Sequence, residues 1–178
     1  TPRNKLSREG IHFREVLNYK NHNKYWKNTD HLVINDSGGQ NFAVLDSIYQ
    51  WGPRFEAKLT DIAKTRYDFI DIGLEVKNVK NNPGLIVCEI VRDGEQIAWR
   101  GSSISGYWNP QKKDTWQWTY LSLRLTGIYS QTSQMEDCMI RIYYWNRGVE
   151  VIRMRDFWIR VTEGNPRIYS LIEPLSLR

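Results

Sequence analysis

Cysteine is scarce in this chain: two in 178 residues, Cys88 and Cys138. Two isolated thiols exclude a disulfide framework, and without CxxC spacing they exclude a thiolate zinc site. Whether they pair with each other depends on whether their strands are neighbours. Histidine is almost as rare, and His12, His22 and His31 all lie in the first 40 residues. The body of the chain therefore lacks the commonest general base, and no catalytic triad can be assembled there around an imidazole. Gly38-Gly39 is an isolated pair, so a phosphate-cradling glycine loop is missing. Asp68/Asp71 and Glu136/Asp137 are close in sequence, but on strands or turns such carboxylates read as solvating charges before acid–base machinery. No apolar run approaches the ~20 residues of a membrane helix. No repeat of about 20 to 50 residues is evident, which argues against propellers and solenoids.

What the chain does have is tryptophan and tyrosine, 8 and 10, against 5 Phe and 3 Met. Aromatics with a polar handle suit half-wet positions, although a β-rich core also takes them up. The net charge of +5 is uneven: residues 1–40 hold 7 Lys/Arg against 4 Asp/Glu, residues 41–178 hold 18 against 16. The body is nearly balanced and carries no concentrated basic stripe, so a nucleic-acid partner is not expected. Residues 1–40 are polar, Asn-rich and without sustained period, which reads as an N-terminal extension or stem. A short helix over 9–19 is the local expectation, with Ile11, Val16 and Leu17 loosely on one face. Asn35-Asp36-Ser37 fits a glycosylation acceptor, a match common by chance. The chain opens at Thr1 and reads as a mature or excised piece, so membrane contact is expected only through segments outside it.

From residue 41 the pattern is β. Residues 42–51 are short and apolar, and 54–62 alternate with Phe55, Ala57 and Leu59 on one side. In 68–79, Ile70, Ile72, Leu74 and Val76 face one way and Asp71, Gly73, Glu75 and Lys77 the other. Residues 85–101 form a hairpin around Asp93-Gly94, the strongest short-range turn signal. Strands follow at 115–128 and 140–145, and a turn at Asn146-Arg147-Gly148 leads into the last strand. Seven or eight strands with turn signals and almost no helix predict an all-β antiparallel sandwich over 41–178.

The run Tyr143, Trp145, Asn146, Gly148, Asp156, Phe157, with TYLSLRL before it and DFIDIGLEV further upstream, resembles the galactose-binding-like jelly rolls. That fold is used by many carbohydrate-binding modules of bacterial polysaccharide-degrading proteins. The resemblance spans about 42–163 and implies a jelly-roll β-sandwich serving as a non-catalytic, extracytoplasmic accessory domain within a larger protein. It also implies a glycan or polysaccharide partner. Relatives often carry paired acids before the Phe and use one in a structural calcium site. This chain has Arg155-Asp156, which leaves Asp156 as a lone candidate ligand.

Strand parity sorts the faces, because successive side chains point to opposite sides. Leu121, Leu123 and Leu125 mark one core face, which puts Trp116, Trp118, Tyr120 and Arg124 outside. Ile140, Ile142 and Tyr144 point in, leaving Arg141, Tyr143 and Trp145 out. Ile152, Met154, Ile159 and Val161 point in, leaving Arg153, Arg155, Trp158 and Arg160 out, provided a bulge near Asp156 keeps both halves in phase. The expected ligand platform is Trp116, Trp118, Tyr120, Arg141, Tyr143, Trp145 and Arg153: rings to stack on sugar C–H faces, with planar polar groups for hydroxyls. Two other readings stay open: the leader covers Tyr143 and Trp145, or the aromatic patch meets a protein partner. Trp51, Trp99 and Trp108, near turns and strand ends, either line an edge-loop site or cap the sandwich, capping being the first expectation.

Overall fold

The computed structural model describes residues 10–17, 24–29, 33–35, 38, 40–77, 84–103, 109–128 and 135–164. Its strands are β1 (Ile11–Val16), β2 (Trp26–Lys27), β3 (Val33–Asn35), β4 (Asn41–Leu45), β5 (Trp51–Lys58), β6 (Phe69–Lys77), β7 (Leu85–Arg92), β8 (Glu95–Ser103), β9 (Gln117–Arg124), β10 (Cys138–Trp145) and β11 (Ile152–Thr162). Two single-turn helices, α1 (Leu59–Ile62) and α2 (Leu125–Ile128), follow β5 and β9. Among the described residues no helix is long and apolar enough to cross a membrane.

One sheet runs β3-β4-β11-β6-β9, with β1 also on β11; the other runs β2-β5-β10-β7-β8. Every recorded pairing is antiparallel. From β4 onward the chain changes sheet at each connection except the β7–β8 hairpin. This gives the orders β4-β11-β6-β9 and β5-β10-β7-β8, the eight-stranded double Greek key of a jelly roll.

Alternation explains the layers. Ile70, Ile72, Leu74 and Val76 of β6 meet Ile140, Ile142 and Tyr144 of β10 in one core, with Phe55, Ile86, Ile90, Met154, Phe157 and Ile159. In β11 the inward set resumes after a register shift between Arg155 and Trp158. Asp156 takes φ 50 there, a left-handed conformation that Asp tolerates better than most side chains. The expected bulge is present.

The leader is not a helix where one was expected. Residues 11–16 are β1, hydrogen-bonded to β11 from Ile11↔Thr162 to Val16↔Trp158, because an open strand offers backbone partners that a weak helical face cannot match. Leu17 and Trp26 enter the core, so the described part of 1–40 supplies edge strands to both sheets. His22, His31, the Asp36-Ser37 portion of the glycosylation match and Trp108 lie outside the described residues.

Cys88 and Cys138 are free and buried. They sit in neighbouring strands of one sheet, but Cys88 is opposite Ile142 while Cys138 is opposite Arg92. Four residues of offset is ~13 Å along the strand, beyond the ~7 Å reach of a disulfide. Burial pushes the Cys88 thiol up to about 12.

Candidate functional site

The outward residues named from the sequence divide between the two opposite faces of the sandwich. Parity separates inside from outside, but it does not say which sheet a strand joins. Trp116, Trp118, Tyr120 and Arg153 belong to the face built on β11, β6 and β9, whereas Arg141, Tyr143 and Trp145 belong to β10 in the other sheet. They do not form one platform.

The first face is closed by its own pairs. Register gives three rows across β11, β6 and β9: Arg155–Glu75–Trp118, Trp158–Gly73–Tyr120, and Arg160–Asp71–Ser122. Arg155 Nε donates to Glu75 at 2.6 Å, Arg160 to Asp71 at 3.1–3.2 Å, and Ser122 Oγ to Asp71 at 2.7 Å. Asp71 and Glu75 are therefore buried structural acids, not solvating ones. Asp68, also buried, accepts from the backbone of Lys64, Thr65 and Gly164. A Cβ at Gly73 would sit 2.2 Å from the Trp158 indole, which lies over that glycine towards Tyr120, 5.9 Å away. The Trp116 ring is stacked by Arg155 at 4.2 Å and edged by Phe42 at 6.0 Å, and Arg153 covers Phe42 at 5.3 Å. Of this set Trp118, 56 % exposed, is the ring left open to solvent.

The second face keeps a hollow. Its rows run Glu56–Arg141–Glu89–Trp99, then Lys27–Arg54–Tyr143–Val87–Gly101, then Trp51–Trp145–Leu85–Ser103. Trp51 and Trp99 are 51 % and 45 % exposed. They do not cap the core, as their strand-end positions had led us to expect. A cleft of about 560 Å³ is lined by Lys27, Asn28, Trp51, Gly52, Arg54, Glu89 and Tyr143, a size usual for small-ligand sites. Trp51 and Trp99 lie three strand spacings and four residues apart, ~19 Å between backbones.

Each wall of the hollow has a cause. Glycine at 101 lets the Trp99 ring fold back over the strand, where a Cβ would meet it at 2.5 Å. The Tyr143 hydroxyl donates to Glu89 at 2.7 Å, and Glu89 is in register with Trp99. Burial first, then Glu89, holds the Tyr143 proton on well above the usual tyrosine range. Glu56 accepts from Arg141 at 3.1 Å and pairs with Arg54 at 3.2 Å. Trp145 lies beside Trp51 in register with Arg147 over its ring at 5.5 Å, and its Nε1 is buried without a hydrogen-bond partner. The Asn28 amide donates to the carbonyls of Trp51 and Gly52 at 3.3 and 3.4 Å, tying the end of β2 to the rim.

Asp156 stands at the bulge with its carboxylate exposed and Arg155 Nε 3.7 Å away. Among the described residues no group of three His, Cys, Asp or Glu side chains gathers anywhere. The Arg155 guanidinium alongside disfavours a cation at that carboxylate.

No family model matches the chain, and no curated protein does. Among solved structures it is similar to the CBM22-1 xylan-binding domain from Paenibacillus barcinonensis Xyn10C, with 12 % identity and a TM-score of 0.47 over 90 % of this chain and 99 % of that one. It is similar to the CBM22-2 xylan-binding domain of the same protein at 11 % identity and a TM-score of 0.45, over 84 % and 98 %. The family 11 carbohydrate-binding module from Clostridium thermocellum follows at 10 % identity and 0.43, over 86 % and 95 %. All three are carbohydrate-binding modules, while the jelly-roll assignment itself stands on the strand order described above.

Proposed function

We propose that this domain binds a glycan chain, without catalysis, in the cleft over β5, β10, β7 and β8, as an accessory domain of a larger extracytoplasmic bacterial protein. The observation that carries the reading is an open indole, Trp51, in the lining of a hollow with Lys27, Asn28, Arg54, Glu89 and Tyr143, and a second open indole, Trp99, in register with Glu89 on the same face. Indole faces stack on the C–H faces of pyranose rings, and the lining supplies directional donors and acceptors for their hydroxyls. The face's carboxylates are engaged, Glu56 by two guanidinium groups and Glu89 by a phenol. They act as acceptors for hydroxyls, not as a general acid and a nucleophile.

Affinity electrophoresis against a polysaccharide panel, xylan and mixed-linked β-glucan among them, tests this. Trp51→Ala and Trp99→Ala are expected to abolish retardation, and Trp118→Ala on the opposite face to preserve it. Loss on Trp118→Ala alone would move the site to the other sheet.

A second reading, a protein contact, is favoured by one observation. Ile48 and Val149 are 77 % and 83 % exposed, with Tyr49 and Val151 beside them in two turns at one end of the sandwich. The backbone N–H of Asn146 donates to Gln50 and its side chain to Glu150, which holds the turns together. Self-association that disappears in Ile48→Ser/Val149→Ser, measured by sedimentation, would support it.

A further inference from the structure

We propose that the glycan bound in this cleft is anionic, bearing uronic-acid carboxylates that Lys27 and Arg54 receive; this rests on the carbohydrate reading of the same face. Pairing of β2 with β5 sets Lys27 directly across from Arg54. Trp26 and Phe55 beside them turn into the core, so both cations face outward, and both line the cleft. Like charges directly opposite on a sheet destabilise the pair. Among the described residues the relief is partial. Arg54 shares Glu56 with Arg141, so the outward side chains of β2, β5, β10 and β7 set four cations, Lys27, Arg54, Lys58 and Arg141, against two acids, Glu56 and Glu89. Of these, Lys27 lines the cleft, is exposed and makes no ion pair among the described residues.

Two further features make this a built site. The Arg54 side chain is 38 % exposed and lines the cleft, so its guanidinium edge can meet a carboxylate oxygen. Asn28, at φ 59, clamps the end of β2 to the carbonyls of Trp51 and Gly52, which fixes the neighbouring Lys27 beside the open indole. A sugar ring stacked on Trp51 thus brings a carboxylate on that ring towards the two cations. A neutral glycan would use the indole and leave the excess charge unanswered.

The test compares one uronate-bearing β-linked polysaccharide, glucuronoxylan, with the same polymer after its carboxylates are reduced to alcohols, by titration calorimetry at low salt. The uronate form is expected to bind about tenfold more tightly, the scale of one added charge contact in a partly solvated site. Raising the salt should narrow that ratio. Lys27→Gln should bring it close to one, whereas Lys112→Gln, an exposed lysine on the β8–β9 connection, should leave it in place. Equal affinity of the wild type for both polymers overturns the proposal. So does a preference that survives both Lys27→Gln and Arg54→Gln, or equal binding of polyglutamate, which has charge but no sugar. Binding of neither polymer overturns the carbohydrate reading itself and this inference with it.

Discussion

Replacing Tyr143 by Phe removes one oxygen from the middle of the cleft floor. In the wild type that oxygen donates to Glu89 at 2.7 Å. The variant keeps the ring and its packing but leaves the Glu89 carboxylate without that partner. A hydrogen bond to a charged group contributes about 1.5–3 kcal/mol when well buried; Tyr143 is only half-buried, so the expected loss is about 1–2 kcal/mol. For a domain of this size that lowers the melting midpoint by about 2–8 °C. The same hydroxyl gives a pH signature. Burial and Glu89 raise its folded-state pKa above the ordinary value of about 10. Above that pH the unfolded chain releases a proton that the folded chain retains, so stability falls as pH rises past about 10 and is fully present below it. Tyr144, raised by burial alone, contributes the same sign in both proteins. Tyr143→Phe should therefore flatten the alkaline limb without removing it. Urea denaturation at pH 7 and at several values above 10, followed by tryptophan fluorescence, reads both effects. An unchanged midpoint at pH 7 together with an unchanged alkaline limb would refute the reasoning.

Gly73→Ala should destabilise by about 1–3 kcal/mol in chemical denaturation, because the new methyl displaces the Trp158 indole now 2.2 Å from where its Cβ would stand. Asp156→Gly should be neutral or slightly stabilising and Asp156→Val destabilising by about 1 kcal/mol or more, since φ 50 is open to glycine and strained for a branched side chain; thermal melts of the two variants decide it. Both thiols should stay unreactive to a water-soluble disulfide reagent in the folded protein and both react in denaturant, as buried cysteines that form no disulfide require. Fewer than two thiols after unfolding without reductant would contradict the register that keeps them apart.

Much of the architecture was legible because alternation is a direct consequence of strand geometry. Ile140, Ile142 and Tyr144 point inward as expected, and so do Ile152, Met154, Ile159 and Val161. Even the bulge could be inferred, since no other device keeps Met154 and Ile159 on one side. The site was less legible. β9 and β10 follow one another in the chain yet lie in opposite sheets, so residues alike in pattern, such as Trp118 and Trp145, are separated by the thickness of the core. Trp51 and Trp99 were assigned to capping because a strand end gives parity too few neighbours to work with. The signal that could have found Trp99 was Gly101, two residues on, where a missing side chain makes room for a large one. The leader misled in another way. Its composition is polar because β1 and β2 are edge strands with one face in water, and nothing local announces which edge they join.

The most direct test of the central claim is a titration followed through the indole N–H resonances of the eight tryptophans, with a glucuronoxylan oligosaccharide as ligand. The account predicts that the Trp51 and Trp99 signals move in step with binding while those of Trp118 and Trp158, on the opposite sheet, stay fixed. Movement of Trp118 with Trp51 and Trp99 stationary would contradict it.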